Sequence, residues 1–235
     1  MVVPVRARHL RVMIDRLLRL VGILPRPRPL PPPLPIDWRR KDISTAETGL
    51  RHDEIGRLIL TIEHDLIAGV TPAMLDWWFR HIGGSIAWQG AERSRYRVWH
   101  PEDHIDWQLV RGDPAAVGVG SQFRIVEAFG RRPEFFVDTI DTVEKLDVTG
   151  IRLVQRRLGE TVFSLEHTFE EVDGGTRYRS RMIVGARRGP LRIIFNRFIR
   201  PRLFSEDMGQ AWLRHNVEEV GNFESFLPAV FAADS

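Results

Sequence analysis

Four stretches between residues 121 and 172 alternate apolar and polar side chains with a period of two: 121–129, 134–143, 151–157 and 160–172. A fifth, TRYRSRMIVGA (176–186), follows at once behind the Gly174-Gly175 turn. Side chains at that spacing point alternately to opposite faces, so each stretch reads as a strand with one buried face, and the glycine pair reads as a hairpin turn. SRYRVW (94–99) reads as an earlier strand running into a polar loop, HPEDHIDW, and RLILTIEHDL (57–66) as another with some helical ambiguity. Thr71 and Pro72 are a good N-cap and first residue for the helix TPAMLDWWFRHI. A helical segment around 191–199 leads to Pro201, and SEDMGQAWLRHNVEEVGNFESFLPAVF (205–231) reads as one long helix with Ser205 as N-cap and Pro228 near its far end. One helix, a run of antiparallel strands and a long closing helix make an α+β pattern. Its simplest packing curls the sheet around the last helix and leaves a cavity between them, a helix-grip architecture.

The folded body begins near residue 50. Ahead of it, residues 6–24 form a basic amphipathic helical pattern, and PRPRPLPPPLP (25–35) a stiff polyproline-II spacer. The division expected is an arm and linker over 1–35 and a helix-grip catalytic domain over 36–235. Arg11, Asp15, Arg16 and Arg19 interrupt the apolar run of the arm, so it cannot span a bilayer, and it lacks the core and cleavage site of a signal peptide. A helix docked on the body or on another subunit is preferred over one lying on a membrane. Residues 1–41 hold ten Lys/Arg against two Asp/Glu, a net +8, so with +3 overall the rest of the chain is at −5. A basic arm on a mildly acidic body is not the footprint of a nucleic-acid-binding domain. With no cysteine, disulfides, cysteine nucleophiles and thiolate metal sites are excluded, and any metal must be held by His and carboxylates. A cytoplasmic setting is compatible with that.

Several polar residues fall on faces that should be buried. At about 100° per residue, His215 and Glu219 lie in the middle of the stripe formed by Met208, Ala211, Trp212, Phe223 and Phe226. Glu127 shares its strand face with Phe123, Ile125 and Phe129; His167 shares one with Phe163, Leu165 and Phe169; Tyr178 shares one with Ser180, Met182 and Val184; Tyr96 shares one with Val98. Each alone is more often an ordinary satisfied core residue or a chance spacing. Together they face one interior, where two carboxylates must be paired, protonated or bound to a cation. Imidazole and carboxylate suit Zn²⁺, and i,i+4 spacing sets His215 beside Glu219. Glu127 offers a third ligand, and the HPEDH loop a fourth, either His100 or His104. Such a set also admits Mn²⁺ or Fe²⁺.

TPAMLDWWFRHI, RYRVWHPEDH and the closing RHNVEEVGNFESFLP together resemble the diacetylphloroglucinol hydrolase family, which includes phloretin hydrolase, over about residues 50–230. The resemblance implies a helix-grip catalytic domain of START-like or Bet v-like kind with an N-terminal helical part. It also implies a zinc held by two His and two Glu, and hydrolysis of a carbon–carbon bond between an acyl group and a phenolic ring. Carried over by position, the ligands are His104, Glu127, His215 and Glu219, and Tyr96, His167 and Tyr178 match the groups that hold phenolic oxygens. The partner implied is a small phenolic or polyketide-like substrate, and a homodimer fits the resemblance. Two rivals share the cavity: a metal-free binding protein for an apolar ligand or lipid, and a metal-free polyketide cyclase using His167 and the tyrosines.

Overall fold

The computed structural model describes residues 25–189 and 192–234, so the basic helix expected at 6–24 lies outside the described residues. The elements are β1 (Glu47–His52), β2 (Leu58–Glu63), β3 (Ile67–Ala68), α1 (Pro72–His81), β4 (Ser85–Trp88), β5 (Ala91–Ser94), α2 (Arg95–Trp99) and β6 (His104–Arg111). They continue with β7 (Gln122–Ala128), β8 (Phe136–Asp147), β9 (Gly150–Arg157), β10 (Glu160–Val172), β11 (Gly175–Val184) and α3 (Glu206–Asp234). Three short abutting helical pieces, Arg192–Ile194, Phe195–Ile199 and Arg200–Leu203, bridge β11 to α3.

One antiparallel sheet runs in the order β1-β2-β11-β10-β9-β8-β7-β6, with β3 paired to β11 and a separate β4–β5 hairpin. Its inner face packs along α3 in two clusters. Met208, Trp212, Leu213 and Val217 meet Leu58, Leu60, Ile62, Met182 and Val184 at one end. At the other end Val220, Phe223 and Phe226 meet Leu153 and Phe169, together with Trp78 of α1 and Trp99 of α2. This is the helix-grip arrangement. Among the described residues no helix is long and apolar enough to cross a membrane.

The turn chemistry is as the residues require. Thr71 Oγ1 accepts from the Met74 amide at 3.3 Å, and Ser205 Oγ from the Met208 amide at 3.1 Å, so each helix start has a donor satisfied. Gly150, opening β9, has φ +146°, and a Cβ there would stand 2.1 Å from the carbonyl oxygen of His167. Only glycine lets β9 lie that close to the strand that carries the histidine.

Two local expectations are corrected. The segment 94–99 is not a strand: the strand ends at Ser94 and Arg95–Trp99 forms α2. Over six residues the Tyr96/Val98 spacing does not separate a strand from a short helix, and the Tyr96/Trp99 pair has helical spacing. The polar loop is also shorter than expected, since β6 begins at His104. Strand β1 and the β4–β5 hairpin carry too little apolar pattern to stand out in the sequence; β1 has no buried residue. The helix α3 continues past Pro228 to Asp234.

The Pro-rich stretch lies against the body. The Leu34 amide donates to the Pro101 carbonyl at 3.1 Å, and Arg97 and Arg131 donate to the carbonyls of Pro32 and Pro31. Leu30 packs over Val126, Ala128 and Phe136, on the side of β7 opposite Glu127.

Candidate metal centre and its polar surroundings

Three segments far apart in sequence meet beside the middle of α3. His215 and Glu219, one turn apart, are 2% and 5% exposed. The β6 start brings His104, which is fully buried, and β7 brings Glu127 directly across from it in register. His104 Nε2 stands 3.4 Å from Glu127 Oε1 and 3.3 Å from Glu219 Oε2, and His215 Nε2 stands 3.6 Å from Glu219 Oε2. Around a tetrahedral ion with bonds of about 2.0–2.2 Å, neighbouring ligand atoms are roughly 3.3–3.6 Å apart. Ligand atoms of His104, Glu127 and His215 all lie within 4.8 Å of one another.

The hydrogen bonds fix which imidazole nitrogens carry protons. His104 Nδ1 is 2.7 Å from the Tyr96 carbonyl, which only accepts, so Nδ1 carries the proton and Nε2 is a bare lone pair. His215 Nδ1 is 3.0 Å from Asp103 Oδ2, so its Nε2 is bare as well. His104 Nε2 is sealed from water with no hydrogen-bond partner. Two lone pairs turned toward two carboxylates leave the centre to be completed by a cation or a shared proton. The residues fit a divalent metal.

The shifts agree with that reading. Burial, reinforced by Glu219, pushes the Glu127 carboxyl well up despite the hydrogen bond from Tyr96. Burial likewise raises Glu219 and lowers His104 and His215. Every one of these shifts reflects a charge the apolar surroundings disfavour. Tyr96 braces two of these residues: its hydroxyl donates to Glu127 Oε1, and its ring lies flat on His104 with centroids 3.9 Å apart.

A second trio, His100, Asp103 and His215, also has metal-ligand spacing. It is internally satisfied, however. His100 Nδ1 accepts from the Asp103 amide at 3.2 Å, leaving Nε2–H to donate to Glu218 Oε2 at 3.2 Å. Asp103 accepts from His215 and from the amides of Gly130 and Arg131. Burial would raise its pKa, but these donors and the neighbouring His100 outweigh that and hold it well below the usual carboxylate range. Of the two loop histidines, His104 therefore faces the centre and His100 braces it from behind. Asp103, which sequence reasoning passed over, orients His215 as carboxylates behind metal-binding histidines do.

His167 and Tyr178 face the same interior from β10 and β11. Tyr178 is fully buried and its hydroxyl has no partner; the centroids of the two rings are 5.2 Å apart. Their neighbour His64, just past β2, was missed. It extends the inward series Leu58, Leu60, Ile62 by one more step of two, which is the signal that exposed the other polar intruders. Burial at these positions also raises the pKa of Tyr178, aided by Glu219. From outside, a cleft of about 600 Å³ reaches His215 between Arg40, Arg214, Asp103 and Glu218.

Asp141 on β8 is another missed group. It is 2% exposed, across the sheet from Gln155, and burial lifts its pKa from 3.8 to about 7 against hydrogen bonds from Gln155 and Thr139. A carboxyl whose folded pKa exceeds the unfolded value makes the folded state lose stability as pH rises from about 4 to 7. Asp141→Asn is thus expected to raise Tm above pH 7, by on the order of 2 kcal/mol of stability, with the gain vanishing near pH 4. Thermal melts of both proteins across that range check it; a constant difference would show that the carboxyl does not titrate as its burial implies.

Residues 37–232 match the family described as DAPG hydrolase PhiG domain. Phloretin hydrolase of Eubacterium ramulus is 26% identical over 188 residues, a match spanning 71% of this chain and 65% of that enzyme. Solved structures similar to this chain include protein Ms6760 from Mycobacterium smegmatis, at 15% identity and a TM-score of 0.45, covering 78% of this chain and 98% of that one. The Zhui aromatase/cyclase from Streptomyces sp. R1128 aligns at 12% identity and a TM-score of 0.38, over 74% of this chain and 96% of its own. With five-sixths of its length matched by one family, the chain belongs to the DAPG hydrolase PhiG domain family.

Proposed function

We propose that the protein hydrolyses the carbon–carbon bond between an acyl group and a phenolic ring, using a divalent cation, zinc foremost, held by His104, Glu127, His215 and Glu219. The observation that carries this reading is the pair of bare imidazole nitrogens turned toward the carboxylates of Glu127, partly buried, and Glu219, buried. Family membership and the relation to phloretin hydrolase supply the reaction class. When bound, such an ion supplies Lewis-acid polarisation of a carbonyl and lowers the pKa of water toward about 7.

The chain's own residues do the rest. Tyr96 keeps Glu127 fixed by donating to it, and Asp103 keeps His215 in the tautomer that leaves Nε2 free. The unpartnered Tyr178 hydroxyl donates to a ring oxygen, where negative charge develops as the ring departs. His167 takes a phenolic proton and returns it to the ring carbon that bears the acyl group, giving the keto form of the ring. Water oxygen then joins the acyl carbon, the carbon–carbon bond breaks, and its electron pair is received by the ring carbonyl. The products are a carboxylic acid and the deacylated phenol, with the two hydrogens of water accounted for between them.

Two measurements on protein purified without added metal test this. Elemental analysis is expected to find about one zinc-type ion per chain, and incubation with diacetylphloroglucinol or phloretin to release the acid. A metal-free folded chain that cannot be loaded, or no turnover on a broad acylphenol panel, removes the proposal.

A further inference from the structure

The helical bridge over 192–203, between β11 and α3, is built inside out. Its only buried residues are polar, Asn196 and Arg200. Asn196 Oδ1 accepts from the Ala186 amide at 2.8 Å, and its Nδ2 donates to the carbonyls of Ile55 and Ala186 at 2.8 and 3.0 Å. Arg200 donates to His52 Nε2 at 3.0 Å and to the Phe204 carbonyl at 3.4 Å. These bonds fix which side of the bridge meets the body. The side left outside carries Ile193, Ile194 and Phe198, which are 63%, 51% and 55% exposed. No other large exposed apolar side chains among the described residues stand so close together in the sequence. A solvent-facing helix does the reverse, and an apolar face held outward this firmly marks a surface that something covers.

Charge identifies the cover. Residues 187–202 hold six arginines and no Asp or Glu. Among the described residues no carboxylate pairs with Arg187, Arg188, Arg192 or Arg197. Glu54, Glu206 and Asp207 share a cleft of about 820 Å³ with Arg192 and Arg197, yet none of them reaches either guanidinium. The β9–β10 turn adds to the same edge: Leu158 at its tip is almost fully exposed, and a Cβ on Gly189 would come 3.8 Å from Glu160 Cγ, which sets that turn beside Arg187 and Arg188. The N-terminal residues 1–41 are no match for this face, being themselves at +8. A two-fold contact with a second copy would set arginine against arginine. Nucleic acid would take the arginines and leave three large apolar side chains uncovered. An anionic bilayer takes both, with headgroups for the guanidinium groups and acyl chains for the isoleucines and the phenylalanine.

We infer that the outer face of the bridge, Ile193, Ile194 and Phe198 together with Arg187, Arg188, Arg192 and Arg197, is a docking surface for an anionic lipid bilayer, on which the chain lies without crossing it. Docking of this kind does not depend on the reaction proposed above.

Co-sedimentation of the full chain with vesicles tests it, using phosphatidylcholine alone and phosphatidylcholine mixed with phosphatidylglycerol. Partition onto the mixed vesicles is expected to exceed that onto the neutral ones by about tenfold or more, and to weaken as salt rises. The triple variant Ile193→Ser, Ile194→Ser, Phe198→Ser and the double variant Arg192→Glu, Arg197→Glu change exposed residues only, and each should lower the partition about tenfold with Tm unchanged. The basic N-terminal residues are present in every variant, so equal binding by all of them would assign the binding elsewhere and overturn the inference. With no cysteine in the chain, Ile193→Cys gives a single site for an environment-sensitive fluorophore. Its emission should shift to the blue on mixed vesicles, whereas the same label at Val119→Cys, exposed at the opposite end of the sheet, should not respond. No binding to either vesicle, or a concentration-dependent dimer abolished by the triple variant in its place, overturns the bilayer assignment. Preference for a DNA duplex over the vesicles, lost in the arginine variant alone, does the same.

Discussion

Replacing His215 with alanine is expected to empty the metal centre and stop hydrolysis together. His215 is the one residue that meets the candidate centre through one ring nitrogen and the bracing Asp103 through the other, so its loss removes a proposed ligand and one of the donors to a buried carboxylate. A Lewis acid contributes several kcal/mol to such a transition state, and each 1.4 kcal/mol is tenfold, so the drop in kcat/KM should be on the order of a thousandfold or more. Elemental analysis should show the ion gone while circular dichroism shows the fold kept. His100→Ala is the contrasting variant. Because His100 spends both nitrogens on Asp103 and Glu218, it should retain the ion, and loss of metal in that variant but not in His104→Ala would reverse the assignment. Loading the metal-free protein should also release protons at neutral pH, because burial favours the protonated form of the Glu127 carboxyl and a cation favours the ionised one. Calorimetry in buffers of different ionisation enthalpy reads that number directly.

Trp78→Ala is expected to cost about 3–5 kcal/mol, the largest stability loss of any single change considered. Trp78 is fully buried, meets Trp99 and Phe223 edge-on at 6.2 and 5.9 Å, and leans on Phe226 at 5.1 Å. It therefore holds α1 against both α2 and α3, the elements on either side of the candidate metal centre. Its indole N–H is buried without a partner, so part of what it contributes in packing is already offset. Trp78→Phe keeps most of the ring contacts and removes that unpaired donor, and its cost should stay below about 2 kcal/mol. Urea unfolding with unchanged m-value measures both. Similar losses in the two variants would mean that the N–H has a partner, such as a buried water.

How far the sequence led depended on the range of the interaction. Glu127, His167 and Tyr178 could be placed inward because a period of two is a local property, and His215 and Glu219 because the helical period is too. The same rule, applied to Leu58, Leu60 and Ile62, leads to His64. It fails at 95–99, where a stretch this short satisfies both periods and tertiary packing chooses the helix. Asp103 and Ser180 had no such signal. A buried serine on a strand becomes informative only when its partner is known, and Ser180 finds His64 across 116 residues. The arrangement of ligands around the centre came from family resemblance and register, whereas the direction of each proton came only from distances.

The Asp103 carboxylate holds the Gly130 amide with the same oxygen that receives His215, and the Arg131 amide with its other oxygen. Any event that draws electron density from that imidazole is felt at those two peptide groups, in a surface turn the substrate need not touch. Their deuterium uptake should therefore report, from a distance, on the state of the buried histidine.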